Sequence, residues 1–203
     1  MAVKRVKIVF YTSERDVLRR DRQGCCQSFM RCLQYVCSKE PGDSPYYEHV
    51  EVILPNNYVT SSTESGGGVH YTVHKTLRND GYCSVLSLPV TLTQEWAMVE
   101  QARQMAEKGT GFNDAGFKIN FIPVLGWLMP MKRQGKLVFC SEYATMLLQT
   151  AGYLEGVEPH RVSPSKLYQL IKQCDAAMHD YNHKAPPPPP VTKKMKRSKV
   201  LNV

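Results

Sequence analysis

In the run Val138-Phe139-Cys140-Ser141-Glu142-Tyr143-Ala144-Thr145-Met146-Leu147-Leu148, a short apolar stretch leads into a cysteine at the first turn of a predicted helix. A helix N-terminus presents unpaired N–H groups and the positive end of the dipole, which lower a thiol pKa and supply thiolate. The same N–H groups can hold an oxyanion. Free cysteine is also among the most buried residue types, so the position alone equally suits a small core residue. A second motif, Tyr46-Tyr47-Glu48-His49-Val50-Glu51-Val52-Ile53-Leu54, reads as a strand. Its alternation sends Val50, Val52 and Leu54 to one face and His49, Glu51 and Ile53 to the other. A histidine on a packed sheet is rigidly aimed, as a general base must be, although a lone histidine is more commonly a surface or hydrogen-bonded one.

The elements that must position these two residues follow from pattern and punctuation. Val6 to Tyr11 reads as a strand, and the apolar spacing of Phe29, Met30, Leu33, Tyr35 and Val36 predicts a short helix over Cys26 to Val36. Four strand-like runs follow: His49 to Leu54, Tyr58 to Thr63, Val69 to Leu77 and Tyr82 to Leu88. Their separators, Pro55-Asn56-Asn57, Gly66-Gly67-Gly68 and Asn79-Asp80-Gly81, suit antiparallel hairpins, so the sequence predicts a meander. Thr91 or Thr93 caps a helix that runs through Trp96, Met98, Val99, Ala102, Met105 and Ala106 and stops at Gly109. Residues 110 to 136 read as an irregular loop with an apolar centre. A helix begins near Cys140 and ends at Gly152, and another starts at Ser163-Pro164 and carries Leu167, Tyr168, Leu170 and Ile171. Helices beside an antiparallel meander make an α+β domain over residues 1–183. Five consecutive prolines, Pro186 to Pro190, enforce polyproline II and set residues 184–203 outside that fold as a disordered tail.

Charge agrees with this division. The chain of 203 residues carries a net +8, yet Lys184, Lys193, Lys194, Lys196, Arg197 and Lys199 supply six positive charges with no acidic residue among them. That leaves 20 basic against 18 acidic residues on the body, a balance that argues against specific nucleic-acid binding. Seven cysteines without a CxxC pair argue against a disulfide framework and for a reducing compartment. Neither a secretory leader nor an apolar run of membrane-spanning length is read, so an intracellular, soluble protein is expected. Cys25, Cys26, Cys32 and Cys37 crowd one segment but lack zinc-site spacing and a close histidine, and no metal site is expected. The pair Cys25-Cys26 is open to acylation, with nothing nearby to strengthen that reading.

Taken together, the two motifs resemble the circularly permuted branch of the NlpC-type papain-like superfamily, the branch that includes lecithin–retinol acyltransferase. In that branch a histidine opens a strand, a meander follows, and the cysteine arrives late, at the start of a helix. Here His49 sits in EHVEVIL and Cys140 in VFCSEYATMLLQTAG, while VSPSKLYQLI resembles the segment after the cysteine helix. The resemblance covers roughly residues 45 to 172. It implies a permuted papain-like fold and a cysteine hydrolase or acyl transferase in which Cys140 attacks an acyl carbonyl and His49 moves the proton. A third polar residue usually orients the histidine. Glu64, ahead of SGGGV, is the first candidate and Ser62, on the same strand face by period 2, the alternative. His70, past the glycines, and Glu51, on the strand of His49 itself, come after them. Some relatives are proteins of large DNA viruses, which points to a viral source.

The substrate implied is a peptide or a lipid acyl group, as an amide, thioester or ester, with no metal or organic cofactor. Phe112, Asn113, Phe117, Phe121, Leu125, Trp127, Leu128 and Met129 place apolar side chains just ahead of Cys140, as a lid, a substrate wall or a cap on the core. Glycines 66 to 68 lie between two strands with no helix or phosphate-binding lysine after them, so a turn is expected there and not a phosphate loop. The proline run fits an SH3- or WW-type partner or a spacer. The basic tail fits an anionic surface, nuclear import or simple solvation. The rival function is a catalytically inactive papain-like fold serving as a binding module through that tail.

Overall fold

A computed structural model describes residues 4–12, 47–74, 82–120, 136–174 and 177–179. In strand β1 (Lys4–Thr12), Val6, Ile8, Val9 and Phe10 are all fully buried, so side chains on both of its faces need cover. A strand of that kind belongs inside a sheet. It pairs antiparallel with β2 (His49–Ile53) on one side and β5 (Tyr82–Val90) on the other. Beyond β2 come β3 (Tyr58–Thr63) and the edge strand β4 (Gly68–Val73), whose last residues turn exposed. The full order is β4-β3-β2-β1-β5, with short β8 (Ala177–His179) outside β5.

The expected meander therefore holds for β2, β3 and β4 and breaks after them. β5 does not hairpin back onto β4; it pairs with β1 at the other side of the sheet. Val85, Leu86 and Leu88 are buried from both faces of β5, which suits the interior position beside β1 and not an edge beside β4. The glycine turn is as expected: Gly67 donates to the Glu64 carbonyl at 3.0 Å, and Gly67 and Gly68 take φ of 71° and 134°, where other residues are strained.

Helix α1 (Leu92–Glu107) is capped by Thr91: its hydroxyl accepts from Gln94 N–H at 3.2 Å and the Gln94 side chain accepts from Thr91 N–H at 2.8 Å. Its buried stripe is Glu95, Met98 and Ala102, three and four residues apart. Trp96, one position round the helix, is 68% exposed in spite of its apolar character. Part of the stretch expected to be irregular is regular. β6 (Gly111–Phe112) pairs parallel with β7 (Leu137–Val138), and α2 (Asp114–Asn120) begins where the Asn113 side chain accepts from Gly116 N–H at 2.8 Å. Helices α3 (Cys140–Thr150) and α4 (Pro164–Gln173) follow, joined through a 3-10 turn (Pro159–Arg161). Ser163 caps α4 by accepting from Lys166 N–H at 3.2 Å, with Pro164 at the first helical position as predicted.

The molecule is thus α+β. Its larger core joins one sheet face (Ile8, Phe10, Val50, Val52, Leu86, Leu88) to α1, α3 and α4 through Met98, Tyr143, Leu147, Leu167 and Ile171. A smaller cluster of Val9, Ile53, Cys83 and Val85 lies on the opposite face. The predicted helix over Cys26 to Val36, the four cysteines of that segment, the Asn79-Asp80-Gly81 turn and the proline-rich basic tail lie outside the described residues.

Candidate active site

Three contacts fix the start of the cysteine helix. Ser62 on β3 donates to the Val138 carbonyl at 2.7 Å, Ser141 donates to the Val162 carbonyl at 2.6 Å, and the Glu142 carboxylate accepts from Phe139 N–H at 3.4 Å. Tyr143 N–H makes the helix's first backbone bond, to the Phe139 carbonyl, so Cys140 is the first helical residue. Cys140 is 1% exposed. Phe117 packs edge-on to Phe139 and also against Phe112, so aromatic rings adjoin the cysteine turn. Of the apolar residues expected to form a wall, these two are placed there, and Phe121, Leu125, Trp127, Leu128 and Met129 lie outside the described residues.

His49 is the first residue of β2, at the end of the sheet where β1 finishes and β5 starts, and α3 packs on this strand so that the imidazole interacts with the Cys140 side chain. Burial alone would lower the imidazole pKa, but hydrogen bonds and charge interactions with Cys140 and Glu51 outweigh it and raise the value from 6.5 to about 9. The thiol expected from sequence and the imidazole expected from sequence therefore meet.

The groups beside the imidazole are Glu51, one of the later candidates, and Ser61. Glu51 Oε1 stands 3.6 Å from His49 Nε2, and Ser61 Oγ stands 3.5 Å from the same nitrogen. Ser61 commits its own proton to the Val50 carbonyl at 2.6 Å, so toward the ring it can only accept. A carboxylate and a hydroxyl that both accept require Nε2 to carry the proton. Burial pushes the Glu51 carboxyl up, and hydrogen bonds with His49 and from Tyr11 more than reverse this, leaving it below its ordinary value.

Glu64 is exposed in the turn after β3, and Ser62 faces the helices; neither is brought to His49. The alternative candidate, Ser62, is the chain neighbour of the hydroxyl that does stand at the ring, Ser61. Even-numbered Thr60 and Ser62 point away from the histidine, Thr60 to the Tyr143 hydroxyl of α3 at 2.6 Å and Ser62 to the Val138 carbonyl of β7, so odd-numbered Ser61 takes the histidine's face. His70 lies opposite Ser61 on β4 and helps hold Glu51 ionised. Glu51 was legible from period 2, since residues two apart share a face. Ser61 needed the register of β2 against β3, which sequence pattern does not fix.

Among the described residues there is no group of three or more His, Cys, Asp or Glu that could hold a metal, and no helix long and apolar enough to cross a membrane. Comparison with known proteins found no match: no family model fits the sequence, and no curated protein or solved structure matches it.

Proposed function

We propose that the protein is a cysteine hydrolase or acyl transferase with Cys140 as nucleophile and His49 as its acid–base partner. The observation that carries this is the packing of the helix that begins at Cys140 on the strand that begins at His49. It puts the thiol in interaction with an imidazole whose Nε2 faces Glu51 at 3.6 Å and whose pKa is raised to about 9. Since Nε2 faces Glu51 and Ser61, the ring's other nitrogen, Nδ1, is the one left for the thiol. The thiol proton passes to Nδ1, the sulfur attacks the acyl carbonyl carbon, and backbone N–H groups at the start of α3 receive the oxyanion. Collapse of the tetrahedral intermediate breaks the bond to the leaving nitrogen, oxygen or sulfur, which takes the proton from His49. A thioester on Cys140 remains, and water or an acceptor nucleophile releases the acyl group while His49 again moves the proton.

The order of parts supports the finer reading of the fold as permuted papain-like: the histidine strand β2 precedes the antiparallel strands β3 to β5, and the cysteine helix α3 arrives late, after them. The aromatic residues beside Phe139 favour an acyl group with apolar character, whether a lipid chain or a peptide side chain. The test is site-resolved alkylation by iodoacetamide at pH 6, with labelled peptides identified by mass spectrometry. Cys140 should react faster than Cys83, whose thiol burial pushes up, and His49→Ala should slow Cys140 by roughly tenfold or more. Equal rates at Cys140 and Cys83, unaffected by His49→Ala, would rule the pair out as chemistry and leave the inactive binding module.

A further inference from the structure

The carboxylate that faces His49 is itself held. Tyr11 on β1 donates its hydroxyl to Glu51 Oε2 at 2.8 Å, while Glu51 Oε1 faces His49 Nε2 at 3.6 Å. The Tyr11 ring also stacks on the imidazole, with centroids 5.8 Å apart and planes 30° apart. These contacts follow from the sheet register, which sets Tyr11 opposite His49 and Val9 opposite Glu51, so Tyr11 reaches the histidine directly and the glutamate diagonally on one face. A glutamate with free rotation about its side chain has several orientations open to it. A hydroxyl that engages one oxygen selects the orientation in which the other meets the ring.

We propose that Tyr11 is a positioning residue for the Cys140–His49 pair: it aims Glu51 at His49 through its hydroxyl and fixes the plane of the imidazole through its ring. The proposal rests on the reading of Cys140 and His49 as a working pair. The groups that face the imidazole are Cys140 from α3, Glu51 from its own strand, Tyr11 from β1 and Ser61 from β3, with His70 on β4 acting on Glu51.

The experiment follows the His49 ring signal in the full-length protein by NMR over pH 5 to 10.5, together with iodoacetamide labelling of Cys140 at pH 7. Glu51→Gln should lower the His49 midpoint by about one pH unit. Tyr11→Phe, which keeps the stacked ring, should lower it in the same direction by about half as much and slow Cys140 labelling a few-fold. In a Glu51→Gln background, Tyr11→Phe should add nothing, because Tyr11 acts through the carboxylate. The sign is diagnostic. If the hydroxyl merely tempered the charge of Glu51, its removal would strengthen the ion pair and raise the midpoint. A rise, no change, or an effect that persists without the carboxylate overturns the proposal.

Glu51→Asp is a second route should Tyr11→Phe unfold the protein, which would show as alkylation of buried Cys83. The shorter carboxylate cannot span both the Tyr11 hydroxyl and the ring, so it should behave like Glu51→Gln; a midpoint like that of the unaltered protein counts against the bridge. Failure of the pair itself reads differently, since His49→Ala would then leave Cys140 labelling unchanged whatever Tyr11 does.

Discussion

An imidazole that keeps its proton to about pH 9 is, at neutral pH, the cationic half of an ion pair and a ready acid for a leaving group. Its folded-state value lies above the ordinary 6.5, so the folded chain holds this proton more tightly than the unfolded chain does. The stability that results is complete below about pH 6.5 and is lost as pH rises through about 9. Glu51 runs the other way: its pKa is depressed, so its contribution is present at neutral pH and lost as pH falls through the acid range. Thermal unfolding measured in steps from pH 6 to 10 should show Tm declining across the first window, and His49→Asn should flatten that decline. An equal decline in the variant would assign it to other groups. At this scale Cys140 and His49 were readable from sequence because each sits at a recognisable boundary, a helix start and a strand start. Glu51 was readable by alternation. Tyr11 and Ser61 were not, because their places depend on which strands become neighbours and in what register.

The elements explain why Ser62 is worth a separate experiment. Its hydroxyl, 0% exposed, ties β3 to the carbonyl of Val138, two residues before Cys140. It holds the cysteine turn against the sheet and has no contact with the imidazole. Ser62→Ala leaves the Val138 carbonyl without this partner and should cost about 1–2 kcal/mol in denaturant unfolding. The His49 titration midpoint should stay where it is. A shift of that midpoint with little loss of stability would restore Ser62 to the orienting role. Other elements divide in the same way between local and non-local causes. The caps at Thr91 and Ser163 and the glycine turn after β3 were legible because a few adjacent residues determine them. The return of β5 to β1 was not: turn residues before a strand say that the chain reverses, not which edge it reaches. The choice was made by burial on both faces of β1 and β5, a property of the assembled sheet. The parallel pairing of β6 with β7 across 24 intervening residues is non-local in the same sense.

At the scale of the whole molecule, charge and chemistry are separable. The six basic residues from Lys184 onward carry most of the net +8, while the candidate site is assembled from β1, β2, β3 and the start of α3, all before residue 184. Attraction to an anionic surface grows with clustered lysine and arginine and is screened by salt, whereas the His49–Cys140 pair is short-range and shielded. A chain ending at residue 183 should therefore keep the rate of Cys140 alkylation and the His49 midpoint of the full-length protein. Co-sedimentation with vesicles of phosphatidylserine and phosphatidylcholine should separate the two at low salt, the full chain binding and the shortened one not, and the difference should fade as salt is raised to about 0.5 M. Loss of Cys140 reactivity on removal of the tail would mean that the tail completes the site, and the division of labour would fail. Retained reactivity with lost vesicle binding would assign recruitment to the tail and chemistry to the body. That outcome also separates the enzyme from the binding module, because a chain whose whole function lay in the tail would have no use for a thiol and an imidazole brought together by the packing of α3 on β2.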